Sequence, residues 1–246
     1  MIKEIFEHVT IRKYKNIDIP DDILNNILNA AIRASNTGNM QVYSIIVTKD
    51  KEIKKQLAPA HFNQPMVEQA AVVLTFCADF HRFNKWCKLR DAEPGYNNFL
   101  SFLTAATDAI IAAQNACLEA ESYNLGICYL GTAIYNADKI IEILNIPDFV
   151  VPVATVTIGY PDEKPELTDR LPLEAVVHYE TYNNISEKNI NKWYNEKEQR
   201  DDNKNFIIEN NKKTLAQVFT DVRYSQKNNE YFSEVLLNVL KKQKFL

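Results

Sequence analysis

The segment from Phe99 to Tyr123 constrains this chain most. It is rich in Ala, Leu and Ile and carries few charges. At helical spacing it is apolar around most of its circumference, so it predicts one long helix in the middle of the fold, with other elements covering it. Gly126 follows as its expected terminator.

Around this helix the periodicity predicts alternating elements. Ile23, Leu24, Ile27, Leu28, Ala31 and Ile32 recur at helical spacing behind Pro20 and Asp21, a helix with start signals. Tyr43 to Thr48 reads as a strand and Lys51 to Leu57 as a short helix. The continuous apolar run Ala71 to Ala78 reads as a buried strand, Ile127 to Leu130 as a short strand, and β-branched Val150 to Ile158 as another. Asn136 is expected to cap a helix holding Ile140, Ile141 and Leu144. Residues 161–172 hold three prolines and predict an ordered loop. Beyond Glu187 the composition turns to Asn, Lys, Glu and Asp. Helices are expected near Asn189 to Arg200 and from Asn229 to Lys242, separated by a polar stretch. Helices alternating with few strands predict an α+β or three-layer domain. The polar tail cannot easily form a core of its own, and is expected to wrap another surface such as a second subunit.

Composition narrows the function. The formal net charge of -4 gives no bulk electrostatic case for nucleic acid or an anionic membrane surface. No apolar run reaches the roughly 18 residues of a membrane span. The four cysteines form no C-x-x-C pair and the four histidines no metal-binding spacing, so no metal site is expected. Reduced, packed thiols in a cytoplasmic protein fit this usage. The chain has only five glycines and no glycine-rich phosphate loop, so side chains must supply much of any phosphate site.

Four polar segments could carry chemistry. His8, Thr10 and Arg12 alternate with apolar residues, so in an extended chain an imidazole, a hydroxyl and a guanidinium face one side. Ser35-Asn36-Thr37-Gly38-Asn39-Met40-Gln41 is dense in donors and acceptors around a flexible glycine. Tyr129-Leu130-Gly131-Thr132 ends a strand with a glycine that lets a flat ligand approach the backbone. Arg170 lies in a proline-stiffened loop that suits a fixed anion contact. Read alone, the first three segments favour a plain turn or connecting loop, and Arg170 fits a solvated charge as well as an anion contact. His61, His81 and His178 are isolated and read as packed or solvated rather than catalytic.

Taken in order, these segments resemble the nitroreductase family, in its branch of NADPH-dependent flavin reductases and oxygen-insensitive nitroreductases. The family's opening H/R-R-S-x-R corresponds to residues 8–12, and its serine-rich loop ending in Gln to residues 35–41. Gln64 stands ahead of Gln69-Ala70-Ala71. Gln114 to Gly126 matches Q-N-A-x-x-x-A-E-S-x-x-L-G, Tyr129 to Gly131 matches Y-x-G, and Arg170-Leu171-Pro172 closes the series.

The resemblance implies a three-layer α/β/α fold around a central mixed sheet, in an intertwined homodimer. Residues 1–180 would form the FMN-binding domain and residues 181–246 a helical extension wrapping the partner. Hydride would pass from NADPH or NADH through flavin N5 to a small acceptor such as a nitroaromatic, a quinone or free flavin. His8, Thr10 and Arg12 would hold the phosphate or the N1/O2 edge, with Arg12 as electrostatic stabiliser of the reduced flavin and no protein nucleophile required. Ser35, Asn36, Thr37 and Asn39 would contact flavin across the interface, and Gln64 would read its pyrimidine or ribityl edge. Tyr129, Leu130 and Gly131 would lie beside the ring, and Thr168 and Arg170 would meet phosphate. Two basic residues of the pattern are absent: Val9 and Thr168 stand in their places. Competing expectations are a same-fold enzyme with another reductive reaction, or a flavin-binding module without turnover.

Overall fold

In the computed structural model, which describes residues 1–246, the elements follow one another as α1 (Lys3–Glu7), α2 (Asp21–Ile32), β1 (Tyr43–Thr48), α3 (Lys51–Leu57), α4 (Met66–Gln69), β2 (Val72–Asp79), α5 (His81–Lys88), α6 (Phe99–Ser122), β3 (Gly126–Leu130), α7 (Ala137–Ile143) and β4 (Val150–Gly159), then α8 (Glu187–Gln199), α9 (Asp201–Glu209), α10 (Leu215–Val218) and α11 (Gln226–Lys242). Contacts divide the chain into two compact units, Met1–Glu166 with Phe232–Leu246, and Leu167–Tyr231.

In the first unit the strands form one sheet in the order β1-β2-β4-β3. All three pairings are antiparallel, so the expected mixed sheet is corrected. The parallel component is a single bridge between Thr10 and Ile127. Both central strands are buried along their whole length, which explains why they read as unbroken apolar runs. One face, through Leu74, Phe76 and Val156, packs on the long α6 and on α2. The other, through Val73, Cys77 and Leu130, packs on Leu57, Met66, Val67 and Ile140. Helix, sheet and helix thus make three layers.

The long helix approaches the sheet along an alanine stripe, Ala105, Ala109, Ala112, Ala113, Ala116 and Ala120, all wholly or nearly wholly buried. Small side chains let the helix backbone come close to the strands. Its other side leaves Leu100, Leu103 and Ile110 exposed.

Three local expectations are corrected. The helix is stopped by Asn124, left-handed at φ 57°, and not by Gly126, which opens β3. Gly126 answers a packing demand, because a Cβ there would stand 2.5 Å from Ile11 Cγ1. Asn136 makes no side-chain cap, since its amide donates to the Ala60 carbonyl at 2.9 Å. The tail expected to wrap a partner is partly spent within its own chain: Val239 of its last helix joins the core with Leu240 and Phe245, and the last fifteen residues belong to the first unit.

The second unit is helical. Its contacts include Glu174, which accepts from Lys192 at 2.6 Å and from the Trp193 indole at 3.0 Å. Arg223 lies 4.2 Å over the Phe206 ring. No helix of the chain is long and apolar enough to cross a membrane.

Candidate functional site

The N-terminal segment is extended where alternation predicts it. Ile11 is buried against Gly126, its N–H donates to the Ile127 carbonyl at 2.9 Å, and Arg12 is exposed. This pairing stitches the segment to β3, the strand that runs out to Tyr129-Leu130-Gly131. Burial raises the Cys128 thiol pKa, and the Arg12 guanidinium opposes that rise, which puts its charge within reach of β3. Glu163 accepts from the backbone N–H groups of Arg12 and Lys13 and fixes the turn after the segment. His8 directs Nδ1 to Glu121 Oε1 at 2.5 Å, so only its other ring nitrogen remains for a ligand. Burial raises the Glu121 pKa, opposed by its bond to His8.

A second pair of segments meets at the C-terminal end of β3. His61, at the end of the turn Ala58–His61, is wholly buried, and its Nδ1 lies 2.7 Å from Thr132 Oγ1. Asn136 donates to the Ala60 carbonyl, and Gln64 Nε2 donates to the His61 carbonyl at 3.0 Å. The bonds of His61 and Ala60 bring the turn that precedes Gln64 against the turn that begins at Gly131. Gly131 is exposed, and a Cβ built on it meets nothing within 4 Å, so the strand end opens on free space. Leu130 is buried behind it, and Tyr129 is partly exposed with its phenol pushed up to about 12 by burial.

The loop at 35–41 is anchored separately. Its turn runs through left-handed Gly38, Asn39 and Gln41, near φ 57°, 55° and 55°. The buried Asp108 carboxylate on α6 accepts from the Thr37 N–H at 3.0 Å and from the Thr37 hydroxyl at 3.1 Å. Asn36 accepts from the Gln41 N–H, and Ser35 and Asn39 are exposed. Thr168 and Arg170 belong to the second unit, where an Arg170 Nη1 donates to Thr168 Oγ1 at 2.7 Å and to the Asp169 carbonyl. Of the basic residues beyond 187, Arg200 pairs with Asp202 and Lys212 with Asp221.

Sequence reading took His61 as packed or solvated and quoted Thr132 and Glu121 within their motifs, but missed the partners each would meet, and it did not single out Asp108. The signal for Asp108 was a carboxylate in the apolar middle of the helix, since a buried charge needs partners.

These features define a three-layer α+β protein with exposed polar turns at the end of an edge strand and no glycine-rich phosphate loop. The chain belongs to the nitroreductase family, whose profile matches residues 5–160. It is 33% identical over 208 residues to an FMN reductase (NADPH) of Bacillus subtilis, covering 80% of this chain and 84% of that protein. It is 35% identical over 181 residues to an oxygen-insensitive NADPH nitroreductase of Salmonella typhimurium, covering 74% of each. A crystal structure from Bacteroides fragilis superposes with a TM-score of 0.98 at 53% identity over 99% of both chains.

Proposed function

We propose that this protein is an FMN-dependent oxidoreductase that takes hydride from NADPH or NADH and delivers it to a small electron acceptor, a nitroaromatic, quinone or free flavin. The observation that carries the reading is the meeting of the turns Ala58–His61 and Gly131–Ala133, joined by His61 and Thr132, with open space at Gly131 at the end of β3. The donor set fits FMN: an amide for the edge of a flat ring, a bare glycine that lets a ring approach, and a hydroxyl and a guanidinium for negative charge. The relatives' activities, NADPH-dependent FMN reduction and nitroreduction, agree with that chemistry. FMN supplies the hydride transfer when bound.

The chain's own residues bind and orient. Thr10 and Arg12 face outward from the segment stitched to β3 and hold anionic charge, with Arg12 favouring the reduced cofactor. His8 contributes its free ring nitrogen. Gln64, Tyr129, Leu130 and Gly131 form the ring side. Ser35, Asn36, Thr37 and Asn39 form a rigid loop set by Asp108 that reaches the cofactor of a second copy. Thr168 and Arg170 are anion contacts of the second unit.

The exposed apolar side of α6 supports a homodimer. Leu100 is 72% exposed and Leu103 50%, too much apolar surface to leave to water on a helix otherwise packed in the core. In this reading the embrace of the partner falls to residues 181–231, which lie in the second unit. Four buried, unpaired cysteines support a reducing, cytoplasmic setting. Denaturing the purified holoprotein and chromatographing the released flavin tests the cofactor: FMN is expected, and predominant FAD contradicts the reading.

A further inference from the structure

His61 has one ring nitrogen bonded and the other dry. Nδ1 faces Thr132 Oγ1 at 2.7 Å, whereas Nε2 is buried with no hydrogen-bond partner. The two neutral tautomers differ in what they strand. With the proton on Nε2, a buried N–H donor is left without an acceptor. With the proton on Nδ1, only an acceptor lone pair is orphaned. Buried orphan N–H groups are the rarer of the two in folded proteins, so the Nδ1 tautomer is favoured. It decides the direction of the next bond as well. A hydroxyl carries one proton. If Nδ1–H donates to Thr132 Oγ1, the threonine proton is free to point elsewhere; in the other tautomer it is consumed by Nδ1.

We propose that His61 is a positioning residue that holds the Thr132 hydroxyl as an oriented donor to the flavin at the Gly131 turn, making Thr132 a cofactor contact. This rests on the flavin reading above. Thr132 is half-buried and follows Gly131, which opens on free space. The imidazole stays uncharged in this role, because burial lowers its pKa to about 4. The hydrogen bond from Asn136 to Ala60 keeps the histidine turn from drifting away from Thr132.

Two measurements test it. In cofactor-free protein labelled with 15N-histidine, long-range proton–nitrogen spectra report the tautomer, with His61 assigned by loss of its signals in His61→Asn. A protonated Nδ1 is expected, and a protonated Nε2 overturns the proposal. FMN dissociation constants and midpoint potentials are then compared among variants. Thr132→Val should weaken FMN about three- to tenfold, the range of one neutral hydrogen bond. Thr132→Ser should restore binding to within about twofold. His61→Leu should lose as much as Thr132→Val, and the double variant no more than either, since the two act as one unit. His61→Asn, which keeps a donor near the Nδ1 position, should retain binding. A reduced complex weakened tenfold more than the oxidised one lowers the potential by about 30 mV. Thr132→Val with parental affinity and potential overturns the relay alone. A parent protein that takes up no FMN overturns the flavin reading beneath it.

Discussion

Acid should destabilise this protein through His61 in a calculable way. Its imidazole is wholly buried, with no acidic group among the causes of its shift, so burial alone lowers its pKa from the ordinary 6.5 to about 4. Above pH 6.5 neither the folded nor the unfolded chain binds this proton, and the contribution to stability is complete and flat. Between 6.5 and about 4 the unfolded chain takes up the proton and the folded chain does not, so stability falls as pH falls. Each unit of pKa difference corresponds to about 1.36 kcal/mol. The loss is therefore about 1.4 kcal/mol by pH 5.5 and about 2.5 kcal/mol by pH 4.5, levelling off below 4. Urea unfolding of the parent and of His61→Asn at intervals from about pH 7.5 to about pH 4.5 isolates the effect. Other titrations, such as that of Glu121, are common to both proteins and cancel in the difference. The difference curve should bend near pH 6.5 with the parent losing stability faster. A flat difference would mean that His61 is wetted or protonated in the folded state, and that the dry contact with Thr132 does not exist.

Other outcomes follow from the same geometry. Arg12→Ala should weaken FMN binding and lower the flavin midpoint potential by a few tens of millivolts at saturating FMN, as expected for losing about 1.5–3 kcal/mol of charge-assisted bonding; an unchanged potential would reduce Arg12 to a phosphate clamp. Gly126→Ala drives a methyl into Ile11 and should cost about 1–3 kcal/mol of stability in a denaturant titration, with loss of flavin as the N-terminal segment lifts from β3. Leu103→Glu changes a side chain exposed in a single chain, so each chain should still fold, but sedimentation should find monomers with depleted flavin.

The layers were legible because their signals are local. Helix Asp21–Ile32 announces itself by apolar spacing behind an acidic first turn, and β2 and β4 by apolar runs that only two-sided burial explains. Antiparallel pairing was not legible, since nothing within a buried strand encodes the direction of its neighbour. Helix His81–Lys88 was hidden because Phe83, Trp86 and Cys87 are interleaved with charged and polar residues. Gly126 misled because a glycine after a helix has two uses; here Asn124 takes the left-handed turn and Gly126 makes room for Ile11. The burial of Ile11 beside an exposed Arg12 could be read from spacing. The groups that fix the site could not: Thr37 meets Asp108 and His61 meets Thr132, each across 71 residues. Such pairings come from the closure of the three layers and leave no trace in short-range pattern.

The central claim is hydride transfer through a bound flavin. The most direct measurement is an anaerobic titration of the FMN-loaded protein with NADPH, and separately with NADH, followed in the visible flavin band. The account predicts that about one equivalent of at least one nicotinamide bleaches the band, and that adding a quinone or nitroaromatic restores it. A protein that stays yellow with both nicotinamides would contradict the account, and would leave a flavin-binding module without turnover.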